Sequence, residues 1–291
     1  MPDREFDLVL FGATGFTGGL TAEYLAEHVP DGCLWALAGR NRGRLEAVRD
    51  RLVVIDPALT DLPLLAADVT DEASMTDIAS RARVVISTVG PYVEHGEPLV
   101  AACAGAGTDY VDLTGEPEFV DRMYVAHHET AVATGARIVH ACGFDCVPAD
   151  LGVLFTLGHL PEGVPAQVRG MVRTNAGLSG GTLASALAAF SRAAKTKQAH
   201  AERRRMERRA NGRRVRTSAK PPHFDKKAGY WLVPLPTLDP FVVRRSAAAL
   251  ERYGPDFSYA HYAAAERLPS VVVGGAAVGL LFAGAQVPPV R

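Results

Sequence analysis

Gly12, Ala13, Thr14, Gly15, Phe16, Thr17 and Gly18 stand between an apolar run at residues 7–11 and a helical pattern over residues 17–29, and no other feature narrows the fold as much. An extended run that turns on glycine and enters a helix at once reads as strand, tight turn, helix. In such a turn Gly12 permits the bend, Gly15 lets the backbone approach a pyrophosphate, and Gly18 lets the helix pack against the strand. Amides at the helix N-terminus then meet the negative charge. A glycine pattern alone is weak, but one lying between strand and helix satisfies the structural condition for a dinucleotide-binding turn.

The alternation continues downstream. Apolar runs at residues 34–38, 62–66, 84–89, 110–113 and 137–141 are separated by helix-like stretches, among them a charged one holding Leu45, Val48 and Leu52 and others at 73–81, 96–106 and 117–134. Six strands separated by helices predict an α/β class: an N-terminal Rossmann domain over residues 1–150, a doubly wound parallel sheet. Beyond residue 150 the rhythm weakens. Residues 166–174 predict a strand, 180–210 a helix that turns basic, and 228–244 short strands interrupted by Pro234, Pro236 and Pro240. The remainder, 151–291, is expected to form a second, smaller α/β (α+β) domain, as a length of 291 residues allows.

Composition excludes several classes. Hydrophobic residues at 48% and charged residues at 22% are those of a globular protein, not a disordered one. A net charge of -1 gives no global reason to expect nucleic acid as a partner. Locally the balance is uneven: residues 192–216 hold eleven Lys or Arg against two Glu. Without interleaved aromatics or a nucleic-acid module, that stretch reads as a solvated helix and loop beside a site for an anionic cofactor or a carrier-bound substrate. Cys33, Cys103, Cys142 and Cys146 form neither a disulfide framework nor a CxxC pair, so a reducing cytoplasm is expected. The N-terminus, with three acids ahead of a strand-like run, lacks the order of a signal peptide. Residues 271–287 are seventeen residues without a charge, four of them glycine, shorter than the roughly 20 that span a bilayer. A buried or surface-docked helix is expected there, with a membrane-inserted helix as the alternative, and peripheral membrane contact is compatible with it.

The second strand runs into Gly39, Arg40, Asn41 and Arg42, with no acid where an NAD site places one on the ribose. An arginine fork suits a 2′-phosphate and a carboxylate would repel it, so NADP (NADPH) is the expected cofactor, with Arg40 the first contact, Arg42 the second and Asn41 beside them. Asp68, after the third strand, either contacts the adenine or opens the next helix with Thr70 and Asp71 as caps. Thr88, Val89, Gly90 and Pro91 end the fourth strand at the edge where open α/β sheets hold their ligands, and Tyr92 follows as a candidate catalytic acid toward the nicotinamide, a structural turn being the alternative. No tyrosine is followed four residues later by lysine, which disfavours the short-chain dehydrogenase route. His140, Cys142 and Asp145 lie close together, but with no second ligand group elsewhere no metal is expected.

Together these segments resemble the saccharopine dehydrogenase-like oxidoreductases, in particular the trans-acting enoyl reductases of mycobacterial lipid synthesis. The resemblance is carried by residues 12–18, 38–41, 87–92, Tyr110-Val-Asp-Leu-Thr-Gly-Glu116, Gly143-Phe-Asp-Cys-Val-Pro-Ala-Asp150 and 180–182. It implies a Rossmann domain followed by an α/β domain that supplies substrate contacts and often the contacts of a homodimer. It also implies NADPH-dependent saturation of a carbon–carbon double bond in a polyketide or fatty-acyl intermediate held by a polyketide synthase or acyl carrier protein. Members of the wider group reduce imines, and some associate with lipid or membranes. Tyr92 and Asp145 are the candidate polar groups near the reacting carbon. Such relatives continue for about a hundred residues past the apolar run, on the order of half a domain. The alternatives are a C=N reductase and a non-catalytic NADP-binding scaffold.

Overall fold

In a computed structural model the described residues are 4–144, 146–173, 192–207, 212–235, 237–267 and 269. The chain forms two compact units, one of residues 1–114 with 118–142 and one of 115–117 with 143–291. The division thus falls between Cys142 and Gly143, ahead of residue 150.

The first unit alternates β1 (Phe6–Phe11), α1 (Phe16–His28), β2 (Trp35–Gly39), α2 (Arg42–Ile55), β3 (Leu64–Ala66), α3 (Glu72–Arg81), β4 (Ala82–Ser87), α4 (Tyr92–His95), α5 (Glu97–Ala106), β5 (Asp109–Asp112), α6 (Pro117–Thr134) and β6 (Ile138–Val139). Every strand pair is parallel and the order is β3-β2-β1-β4-β5-β6, the doubly wound arrangement expected from the sequence. Period-two alternation explains how both faces are covered. Val9 and Phe11 on β1 pack with Met75, Ile78, Leu99, Val100 and Phe119 from α3, α5 and α6. Leu8 and Leu10 point the other way, into a core with Ala22, Leu45, Val48 and Leu52 from α1 and α2. Helix starts are marked locally: Asn41 accepts from Arg44 N to cap α2, and Asp71 accepts from Ala73 N to cap α3.

The second unit holds α7 (Val147–Gly158), β7 (Ala166–Val172), α8 (Ala193–Met206), β8 (Arg214–Thr217), β9 (His223–Asp225), β10 (Tyr230–Pro234), α9 (Asp239–Ala249) and β11 (Asp256–Ala265). Its mixed sheet runs β7-β11-β10-β9, with β8 also beside β11. The long β11 pairs parallel with β7 and β8 and antiparallel with β10, so it is the central strand. Val153 and Leu157 of α7, with Val243 and Ala247 of α9, cover one face over Phe257 and Tyr259. Two of the prolines expected to interrupt strands across 228–244 act differently: β10 is intact to Pro234, and Pro240 sits in the first turn of α9, where its missing N–H has no helical partner to lose; Pro236 lies outside the described residues.

No helix among the described residues is long and apolar enough to cross a membrane. The run at 271–287 and the motif at 180–182 lie outside the described residues.

Candidate active site

The crossover between β3 and β4 leaves β1 and β4 as neighbours whose outgoing loops meet at the C-terminal edge of the sheet, the position at which open α/β sheets take ligands. Gly12 leaves β1 with φ of 91°, and its N–H donates to Ala38 O at 2.9 Å. A Cβ at Gly12 would lie 2.7 Å from both Thr88 Oγ1 and Val89 Cγ2, so the two loops approach as closely as they do because this residue is bare. A Cβ at Gly18 would overlap the Gly12 carbonyl oxygen, which fixes how tightly α1 seats on the turn. Thr88 ties the loops from its own side: its N–H donates to Phe11 O at 3.0 Å and its hydroxyl to the same oxygen at 3.1 Å.

The N-terminus of α1 is built for an anion. Gly15 is its N-cap and brings no capping side chain, no acid stands in the first turn, and the first helical bond runs from Gly19 N to Gly15 O at 2.8 Å. The amides of Phe16, Thr17 and Gly18 precede that bond and carry the positive end of the helix dipole. Ala13 is buried beneath the loop, whereas Gly15 and Phe16 are exposed.

At the end of β2, Arg40 is exposed and makes no ion pair among the described residues. Its neighbours are engaged: Asn41 Oδ1 accepts from Arg44 N at 3.0 Å, and Arg42 Nε donates to Glu46 at 3.2 Å. Of the two arginines expected to meet a 2′-phosphate, Arg40 is therefore the one with its guanidinium uncommitted. Asp68 serves the turn before α3, where Oδ1 accepts from Thr70 N at 2.9 Å and Thr70 Oγ1 at 2.8 Å. Those two bonds, and then the charges of Arg40 and His95, hold its carboxyl below the usual range. The capping reading of Thr70 and Asp71 thus has a concrete geometry here.

Beyond β4, Val89 is partly buried against the core and the Gly90–Pro91 peptide is cis. Tyr92 is only 4% exposed, its hydroxyl donates to Ser87 O at 3.0 Å, and its ring packs at 5.7 Å from that of Phe119. Its burial and that bond pin α4 to the end of β4. Asp145 lies outside the described residues.

A polar pair that spacing did not reveal sits at the same sheet edge. His140 Nδ1 lies 2.7 Å from Asp112 Oδ2, with the Asp112 side chain fully buried and that of His140 9% exposed. The other carboxylate oxygen, Oδ1, accepts from Thr114 N and Ala141 N, each at 3.0 Å. Ala141 has φ of 62°, so a strained residue is held by the same carboxylate. Tyr110 and Phe119 meet the imidazole edge to face at 5.8 and 5.2 Å. Two backbone amides orient Asp112, Asp112 orients His140, and Nε2 has no partner among the described residues. The sequence signal was present in the two segments that end β5 and β6, but the residues are 28 apart and only strand pairing joins them.

Burial and the Asp112 charge push the Cys142 thiol up, which disfavours a thiolate. Among the described residues no group of three or more His, Cys, Asp or Glu is placed to hold a metal.

A Mycobacterium tuberculosis protein described as a candidate trans-acting enoyl reductase is 50% identical over 195 residues, covering 65% of this chain and 45% of its own length. A Mycobacterium ulcerans trans-acting enoyl reductase is 53% identical over 150 residues, covering 52% of this chain and 35% of its own length. The chain thus matches less than half the length of these relatives. A solved structure of apo saccharopine dehydrogenase (L-Glu forming) from Saccharomyces cerevisiae is 19% identical, with a TM-score of 0.42 over 53% of this chain and 31% of that one. The model of the saccharopine dehydrogenase NADP binding domain matches residues 8–139, the span from the middle of β1 to the end of β6. Residues 8–139 therefore belong to the saccharopine dehydrogenase NADP binding domain family.

Proposed function

We propose that this chain is an NADPH-dependent enoyl reductase that saturates a carbon–carbon double bond in a polyketide or fatty-acyl intermediate carried by another protein. The observation that carries the reading is the pairing of a glycine turn bared for phosphate with one uncommitted arginine at the end of β2. The relatives' names add the reaction class. Gly12, Ala13, Thr14, Gly15, Phe16, Thr17 and Gly18 would hold the pyrophosphate, Arg40 the 2′-phosphate, and residues 88–91 the nicotinamide half. Bound there, NADPH supplies a hydride for the β carbon of an enoyl thioester.

What this chain's own residues contribute is position and a proton. Saturation needs one proton at the α carbon of the enolate that follows hydride addition. His140 is the best-placed donor: Asp112 holds Nδ1 and fixes the ring, and Nε2 is the nitrogen left to act. Asp145, one of the two groups singled out in the sequence, remains a candidate beside it. The acyl carrier is proposed to dock on the exposed basic face of α8, where Lys195, Lys197, Arg204 and Arg205 all face solvent.

The test of the cofactor site is titration of the purified chain with NADPH and NADH, read by nicotinamide fluorescence, with Arg40→Ala in parallel. Loss of one charged hydrogen-bonded contact of about 1.5–3 kcal/mol predicts at least a tenfold weaker NADPH complex in the variant, with NADH little changed. Equal weakening of both nucleotides would remove Arg40 from the 2′-phosphate. Binding of neither by the parent chain would remove the reading.

A further inference from the structure

The second unit contains a cavity of about 420 Å³, in the size range of small-molecule pockets, and the reaction proposed above does not account for its polar wall. One side is apolar, formed by Val153 and Gly152 of α7 with Met171 and Leu235. The lining also contains a row of three buried polar groups. Tyr259 Oη lies 2.7 Å from His261 Nδ1, and His261 Nε2 faces Asp239 Oδ1 at 3.7 Å. Tyr259, His261 and Asp239 are 1%, 4% and 2% exposed, and all three line the cavity.

Burying such a row costs free energy that an apolar trio of the same shape would not incur, so a fold that needed only packing would have no use for it. The strand beside it is shaped to leave the phenol room. A Cβ on Gly170 of β7 would overlap the Tyr259 hydroxyl oxygen and stand 2.9 Å from His261 Nδ1. Gly170 itself lines the cavity, so the hydroxyl comes to the wall across a bare residue. Burial first, and then the nearby Asp239, Cys146 and Asp150, push the Tyr259 phenol well up, so it keeps its proton. With His261 protonated on both nitrogens and its Nε2–H facing Asp239, the phenol oxygen accepts from Nδ1–H and turns its own O–H outward.

The rim decides the charge of the ligand. Arg169 is paired with Asp225, and Arg173 with Glu266 at 2.5 Å and with Tyr230 Oη at 2.8 Å. Neither arginine is left to select a carboxylate or a phosphate. The lining asks for an uncharged ligand, apolar along its length, with one oxygen to meet Tyr259.

We infer that this cavity is an acyl subsite, which takes the apolar chain of the substrate and hydrogen-bonds a carbonyl oxygen on it through Tyr259, with His261 and Asp239 positioning the phenol. The ligand class rests on the enoyl reductase reading, whereas the cavity and its polar row stand on the geometry alone.

The experiment is calorimetric titration of the full chain, without nicotinamide cofactor, with an octanoyl N-acetylcysteamine thioester and with the matching thioether, which lacks the carbonyl. Tyr259→Phe should weaken thioester binding about tenfold, as loss of a single neutral hydrogen bond does, and leave the thioether unmoved. Met171→Trp, at a partly exposed wall position, should fill the cavity and abolish binding of both. Parent-like binding of the thioester by Tyr259→Phe, or of both probes by Met171→Trp, overturns the subsite. An NADPH titration of the same proteins separates the two readings, and a parent-like Tm and circular dichroism spectrum in a variant show that its second unit is folded. A parent chain that binds acyl probes but no NADPH overturns the cofactor reading and leaves the subsite standing.

Discussion

A methyl group on Gly18 would stand against the carbonyl of Gly12, 2.8 Å from both Gly12 C and Thr88 Oγ1, and backbone atoms have nowhere to retreat. Gly18→Ala should therefore cost about 1–3 kcal/mol by overpacking, seen as a lower Tm, and weaken NADPH at least tenfold. Gly15→Ala is the informative contrast, since its nearest neighbour would be Gly12 O at an ordinary 3.4 Å. That variant should keep its Tm and lose NADPH, because only a ligand phosphate competes for the space; unchanged NADPH affinity would argue against phosphate at the turn. His140 makes a different prediction. His140→Gln should lower kcat about a hundredfold or more with KM little changed, as expected for a lost proton donor, and flatten one limb of the pH profile. A change in KM alone would make the pair a structural clamp for the strained Ala141. The roles of Gly15 and Gly18 were legible from spacing, and the pairing of His140 with Asp112 was not. Tyr92 follows a glycine and a proline at a sheet edge, a pattern that did not show its ring packed against Phe119.

The turn between β9 and β10 shows how one side chain can organise an element. Asp225 Oδ1 accepts from Lys227 N and Ala228 N, each at 2.9 Å, and the other oxygen pairs with Arg169 of β7. The bond from Ala228, then the Arg169 contact, lower its pKa to about 2. A carboxylate depressed in the folded state stabilises fully above its unfolded value of about 3.9, and the contribution disappears as pH falls through the folded value. A proton titration of Asp225 by NMR should thus place its midpoint near 2, and Asp225→Ala should remove the acid-side loss of stability that the parent shows between about pH 4 and about pH 2. A midpoint near the unfolded value would mean that the turn does not hold the carboxylate in solution. Secondary structure was readable where local signals were strong: the α3 cap, α6 from Pro117 to Thr134, and every strand of the parallel sheet. It was not readable at β11, whose Ser258, Ala260 and His261 are buried on a central strand and so break the apolar alternation that an edge strand would show.

Over the whole molecule a net charge of -1 hides a basic segment of eleven cations. The fold uses part of that charge internally: Arg203 is buried and meets Glu207 at 3.2 Å, Arg213 donates to the carbonyls of Gly254 and Ala247, and Arg216 pairs with Asp256. What remains on the surface of α8 is the face proposed for an acidic carrier. Changing Lys195, Lys197, Arg204 and Arg205 to Glu should raise KM for a carrier-bound substrate about tenfold at low salt, with the difference fading at high salt and no change on a free thioester. An equal effect on both substrates, or none on either, would remove the docking face. The amino-acid sequence by itself determined the doubly wound sheet and its phosphate turn, because glycine spacing, caps and period-two runs act within a few residues of one another. Tertiary structure alone decided which arginine stays free, that Asp112 and His140 form a pair, and that Gly170 makes way for Tyr259 and its polar row. Each of those depends on residues far apart in the chain being packed to within hydrogen-bond distance, and no local pattern encodes that distance.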